Sequence, residues 1–270
     1  MGQRAETRSG FLSGNRTKTL SPYPINAGGR IMLELPEAYV VASQINEHLK
    51  GKRIKNVVAA LSPHKFAWYY GDPNKYNELL YGKTIDKAVS YGGLVNIFAG
   101  DCMIVLGDGA SPVFHDKGEP RPKKNQLLIE FEDFSALSAT VQMYGGLWCF
   151  RDEEFDNPYY IIAKEKPSPL TDKFSREYFL NIMGVPGAER LSAKAFLATE
   201  QRIPGLGNGV LQDILFNSGI HPKRKVMTFS DTDRENLFWS IKNTLSEMAE
   251  KGGRDTEKTC SAVPAVTKPG

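Results

Sequence analysis

Between Ile54 and Phe150 the chain is written in one period and beyond Leu170 in another, and that change constrains its fold more than any other feature. Short runs such as NVVAAL, KFAWYY, CMIVLG and LLIEFED, rich in Val, Ile, Tyr and Phe, are broken every few residues by Gly, Pro and Asp. Residues of this kind fit a pleated, half-buried surface, and their spacing predicts a β-sandwich or barrel. After AKEKPSPL, Ala163 to Leu170, whose proline and charge content marks a linker, the runs lengthen to helical ones: SREYFLNIM, SAKAFLATE, GNGVLQDILFNSGI and DTDRENLFWSIKNTLSEMAEK. In the last of these Leu237, Ile241, Leu245 and Met248 form one apolar stripe, expected to face a core. One helix also leads the strands. From Pro36 to Leu49, Val41, Ile45 and Leu49 recur at helical spacing, with Pro36 suited to the first turn and Glu37 to the positive end of the dipole. The expected class is α+β and multidomain: a β-sandwich with its leading helix over residues 32–165, then a helical domain over 166–258.

The chain of 270 residues suits two modest domains, and 41% hydrophobic content is enough for real cores. Residues 1–31, rich in Gly, Ser, Thr, Asn and Arg without periodicity, are expected to be disordered or foreign to the fold. No apolar run reaches the length of a membrane span and the first residues lack the apolar stretch of a secretory signal, so the expected location is cytoplasmic. Cys102, Cys149 and Cys260 have no metal-like spacing, and their odd number argues against a disulfide framework. A net charge of +3 is compatible with nucleic acid without demanding it, so any such partner has to be read from local pattern.

The most informative local pattern is IPGLGNGVLQDILFNSGIHPKRK, Ile203 to Lys225. Gly205 and Gly207 let the backbone approach another surface closely. Asn208 is placed to cap the helix that follows, and that helix N-terminus offers N–H groups to a phosphate. His221, Lys223, Arg224 and Lys225 add a basic cluster just past the helix. Together these residues make a phosphate clamp, although a glycine turn and a solvated basic corner also occur in helical domains with no nucleic-acid partner.

The same segment resembles the helix-two-turn-helix of the formamidopyrimidine-DNA glycosylase and endonuclease VIII family, bacterial base-excision-repair enzymes. The likeness rests on Gly205-Leu206-Gly207-Asn208, Ile214-Leu215-Phe216 and Gly219-Ile220-His221-Pro222, joined by MLELPE from Met32 and GGRDT from Gly252, with LLIEFEDFSAL and the YGGLW around Trp148 adding to it. It runs from Met32 to Lys258. It implies double-stranded DNA with a damaged base or abasic site as partner, no membrane and a monomer. It further implies removal of oxidised bases with associated strand cleavage, Glu34 and Glu37 as catalytic carboxylates, and Gly205, Gly207, Asn208, Lys223 and Arg224 as DNA contacts. Read from the residues alone, Glu34 and Glu37 are also simply first-turn residues that satisfy a helix dipole.

Two departures from the family pattern bear on activity. Family catalysis uses an N-terminal proline amine, which titrates near roughly 8, well below a lysine at roughly 10.4, so that more of it is free near neutral pH; here Leu33 stands in its place. The family's phosphate-holding lysine falls at Gly93, within Ser90-Tyr91-Gly92-Gly93-Leu94. The arginine and phenylalanine that fill the gap left by an everted base are not found in Met143 to Trp148. His64, Lys65 and Lys124 are alternative amines or phosphate ligands, and each is also an ordinary surface residue. The resemblance therefore supports a glycosylase and abasic-site lyase, with a catalytically degenerate binder of abasic or distorted DNA as the alternative. A structural RNA-binding module is a weaker rival.

Both ends look displaced. Residues 259–270 follow no core pattern, yet one permitted coding of Thr259 to Pro269, with a single G added in front, reads DLFGSPGGYKT, a segment that resembles the continuation in family members. A lost nucleotide after Lys258 is expected, and with it the loss of the family's zinc finger. No cofactor is expected in this chain, zinc belonging only to full-length relatives. Residues 1–31 are expected to be translated leader ahead of a start at Met32.

Overall fold

The computed structural model describes residues 33–253. The expectations for residues 1–31 and 259–270, including the lost nucleotide and the zinc finger, lie outside the described residues. The fold begins with α1 (Leu35–His48), followed by β1 (Ile54–Ala59), β2 (Ala67–Trp68) and the short α2 (Tyr76–Leu80). Five more strands follow: β3 (Ile85–Tyr91), β4 (Leu94–Ala99), β5 (Cys102–His115), β6 (Leu127–Phe131) and β7 (Ala136–Arg151). Helices then take over: α3 (Pro158–Glu165), α4 (Arg176–Met183), α5 (Ala193–Ala198), α6 (Asn208–Asn217) and α7 (Asp231–Glu250).

The strands form one sheet in the order β1-β6-β7-β5-β4-β3, antiparallel throughout, with β2 added in parallel to β7. β5 and β7 are longer than the sequence suggests. Gly107, Asp108 and Pro112 read as breaks, but β5 runs through them and absorbs the irregularity as a bulge between Asp108 and Ala110. The residue alternation of β5 serves two cores. Cys102, Ile104 and Leu106 face a core shared with Ala38, Val41 and Ile45 of α1, whereas Met103 and Val105 face an aromatic cluster of Trp148, Phe150, Phe155 and Tyr160. That cluster explains α3, whose last residues, Ala163 to Glu165, fall within the stretch expected to be linker. Asn157 accepts hydrogen bonds from the N–H groups of Tyr159 and Tyr160, and Pro158 fixes the first turn.

A third core gathers Phe174, Phe179, Phe196, Val210, Ile214, Phe238 and Ile241 from the helices. Serines start three of these helices: Ser175, Ser192 and Ser230 each accept an N–H three residues on. The α7 stripe is buried at Leu237, Ile241 and Leu245, with Met248 packed partly against it. Leu35 belongs to this helical core while the rest of the apolar face of α1 belongs to the sheet, so α1 ties the two together. Among the described residues no helix is long and apolar enough to cross a membrane.

Candidate active site

Where α1 begins, three segments distant in sequence converge. Leu33 donates its N–H to the carbonyl of Asp108 on the β5 bulge at 2.7 Å, and Leu35 donates to the carbonyl of Gly205 at 2.8 Å. The β3–β4 hairpin closes from a third side through Gly92, at φ +57°, and Gly93. A Cβ at Gly93 would stand 2.7 Å from the carbonyl oxygen of Leu33, and one at Gly205 would stand 2.3 Å from the amide nitrogen of Gly93. These contacts are closer than any side-chain carbon tolerates, so glycine at both positions is what lets the loops meet.

Glu34 is the pivot. It is 6% exposed. Its carboxylate accepts the N–H groups of Gly207 at 3.1 Å, Gly209 at 3.3 Å and Val210 at 3.0 Å. An anion on the first N–H groups of a helix satisfies donors that have no partner within the helix and complements its dipole. This corrects two expectations. The cap position of α6 is Gly207, and Asn208 is the first helical residue. Three of the amides expected to meet a phosphate, those of Gly207, Gly209 and Val210, are already taken by a carboxylate from 173 to 176 residues away. Asn208 itself is exposed, and its side chain has no hydrogen-bond partner among the described residues. Glu37, 3% exposed, accepts the Glu34 N–H at 3.1 Å and so fixes the entry to α1.

The basic corner divides in two. Lys223 is exposed. Arg224 grips Asp233 through both terminal nitrogens, at 2.7 and 2.6 Å, and donates to the Thr228 carbonyl at 2.9 Å. Asp233 also accepts from Ser230 in the capping box of α7, and these donors, Arg224 first, hold its carboxyl well below the usual range. In this structure the Arg224 guanidinium, expected at the DNA, braces the start of α7. His64 and Lys65 sit with Tyr69 and Pro73 around a separate cavity, and Lys124 is exposed.

One residue the sequence reading missed stands beside Leu33. Asp108 is 5% exposed, lies at φ +56° in the bulge, and its Oδ2 has no hydrogen-bond partner. Burial lifts its carboxyl to about 7. The phenols of Tyr144 and Tyr159 are pushed up first by their own burial and then by the charge of Asp108. The only sequence signal was the polar LGDGAS interrupting an apolar strand.

The described residues do not fit a zinc ion. Cys102 and Cys149 are core residues on β5 and β7, and burial raises both thiols, that of Cys149 to about 12. Among the described residues no cluster of three His, Cys, Asp or Glu side chains forms.

No protein-family model matches the chain. It is similar to the formamidopyrimidine-DNA glycosylase of Vibrio cholerae, 27% identical over 224 residues that cover 82% of this chain and 80% of that one. That of Wolbachia pipientis is 26% identical over 228 residues, with the same coverage. Among solved structures, Lactococcus lactis Fpg with an abasic site containing DNA matches at a TM-score of 0.72 and 21% identity, over 87% of this chain and 84% of that one. The same protein with an oxidized pyrimidine containing DNA matches at 0.71 and 21%. At that identity the structural likeness carries the fold, a mixed α/β architecture on an antiparallel sheet.

Proposed function

We propose that this chain, similar along four fifths of its length to curated formamidopyrimidine-DNA glycosylases, is a base-excision-repair glycosylase of that family acting on duplex DNA with an oxidised base or abasic site. One observation carries the reading. The Glu34 carboxylate fastens the Leu33–Glu37 segment to the N-terminus of α6, joining the family's nucleophile position and its helix-two-turn-helix loop in one site. Within it Asn208 and Lys223 contact phosphate, Gly205 and Gly207 admit the close backbone approach, and Glu34 and Glu37 hold the geometry on which the sugar is bound. The finer architecture follows the same reading: a β-sandwich with its leading helix over 32–165, then the helix-two-turn-helix domain over 166–258. The protein is a cytoplasmic monomer that associates with the nucleoid.

A second reading is favoured by the nucleophile position itself. The Leu33 nitrogen is a main-chain amide bonded to Asp108, and Gly93 leaves no room for a lysine. On this reading the chain binds abasic or distorted DNA without cleaving it.

Borohydride trapping on a duplex with one abasic site, alongside an affinity measurement on the same duplex, tests both. Tight binding with an adduct supports a glycosylase and lyase. Tight binding with no adduct removes the lyase step. Failure to prefer the abasic duplex over undamaged duplex refutes the DNA-repair reading altogether.

A further inference from the structure

We propose that this chain releases a damaged base by hydrolysis, with Asp108 as the catalytic residue that takes a proton from the attacking water, leaving the strand intact. The proposal rests on the glycosylase reading and assigns its missing nucleophile. Leu33 supplies no amine and Gly93 no lysine, yet the reaction needs only an oxygen nucleophile and a base to activate it. A carboxylate beside the anomeric carbon of a sugar is sufficient for that role.

Asp108 meets the geometric demands. Its own carbonyl accepts the Leu33 amide at 2.7 Å, so its main chain lies directly against the nucleophile position. Its Oδ2 is buried and unpartnered, where buried polar atoms are almost always hydrogen-bonded. The bulge holds the residue at a left-handed φ of +56°, a conformation costly for a non-glycine residue and common where a strand re-aims a side chain at a site. Gly107 and Gly109 flank it, and a Cβ at Gly109 would stand 2.5 Å from the Tyr144 carbonyl oxygen, so glycine is what lets the bulge pack this closely against β7. The titratable groups whose interaction with it is resolved are Tyr144 of β7 and Tyr159 of α3.

The step balances without a further reactant. The water oxygen bonds to C1′ as the bond from C1′ to the base nitrogen breaks, and that electron pair leaves with the base. The water proton passes to the Asp108 carboxylate, and the departing base takes a proton from solvent. The products are the free base and an abasic sugar in an uncut strand.

The full chain is incubated in single turnover with duplexes carrying one formamidopyrimidine or one oxidised pyrimidine, and free base and strand cleavage are scored separately. The expected result is base release with strands intact until heated in alkali, and no borohydride adduct. Asp108→Asn is expected to slow release by on the order of 100-fold or more, the usual worth of a general base, with affinity for an abasic duplex unchanged. Asp108→Glu is expected to recover part of the rate. Because burial lifts this carboxyl to about 7, release by the unsubstituted chain is expected to rise with pH through that value and then level. This profile decides the matter even if the Asn variant does not fold.

Release accompanied by an adduct, an unchanged rate in the Asn variant, or a flat profile from pH 5 to 9 overturns the proposal. So does absence of release from both duplexes when the abasic duplex is still bound, which leaves the DNA-binding reading standing. Loss of abasic-site binding in the unsubstituted chain would instead remove the reading on which the proposal rests.

Discussion

The carboxylate of Glu34 accepts the amide of Val210 at 3.0 Å across 176 residues of sequence. Two further amides of the same helix terminus share it, so one buried charge fastens the first turn of α1 to the first turn of α6. A charge-assisted hydrogen bond contributes roughly twice a neutral one, and removing a buried acceptor strands its donors. Glu34→Ala is therefore expected to cost about 2–4 kcal/mol of stability. Glu34→Gln should cost less, because it keeps an acceptor and loses only the charge. Urea denaturation of the three proteins measures both, and equal losses would show that the charge is immaterial.

The Gly93 position gives a separate test of why the family's lysine is missing. A Cβ there would lie 2.7 Å from the Leu33 carbonyl oxygen, which is backbone and cannot swing aside. Gly93→Lys is expected to destabilise by roughly 1–3 kcal/mol, the range for overpacking, and to add no borohydride-trappable activity. A variant that folds as stably as the parent and forms an adduct would mean that the site has room for the family's chemistry.

Asp108 makes stability depend on pH in an unusual direction. A carboxyl raised to about 7 in the folded chain holds its proton more tightly than the same group unfolded, at roughly 3.9. Across that window the folded state binds more protons than the unfolded state, so stability falls as pH rises; below it both states are protonated and the contribution vanishes. Asp108→Asn removes the effect. The variant is expected to gain stability over the parent progressively from about pH 4 to 7, by an amount of order a few kcal/mol at about 1.4 per tenfold. Thermal melts at pH 5 and 8 check it, and a difference that shrinks with rising pH contradicts the assignment.

Much of this was legible in the sequence because it was local. Period alone located α1, α6 and the α7 stripe, and resemblance pointed to Gly205, Gly207 and the Glu34–Glu37 pair. What escaped was set by contacts distant in sequence. Nothing near Asn208 indicates that an anion from residue 34 already occupies the helix terminus. Nothing in LGDGAS distinguishes a turn from a bulge inside a 14-residue strand, because the continuity of β5 is imposed by β7 pairing on both sides of Asp108. The fork of Arg224 on Asp233 escaped for the same reason, its two residues lying nine apart in the chain.

The division between Lys223 and Arg224 yields the last prediction. Each phosphate neutralised by a side chain releases condensed counterions, so every such contact steepens the dependence of log affinity on log salt by about 0.9. Lys223 is exposed, whereas the Arg224 guanidinium is engaged in its fork with Asp233 and on the Thr228 carbonyl. Lys223→Ala is expected to lower the salt slope for duplex binding by about 1 while leaving stability within roughly 0.5 kcal/mol of the parent. Arg224→Ala is expected to do the reverse: an unchanged slope, with lower stability because Asp233 loses its bidentate partner at the start of α7. The Asp233 carboxyl is held below its ordinary value by that partner, so the stability it provides is present above roughly pH 4 and lost as pH falls through the depressed value. The Arg224 variant should therefore differ most from the parent at neutral pH and converge with it in acid. Binding titrations at several salt concentrations, paired with acid denaturation, separate the two roles, and a slope change in the Arg224 variant equal to that of the Lys223 variant would return Arg224 to the DNA interface.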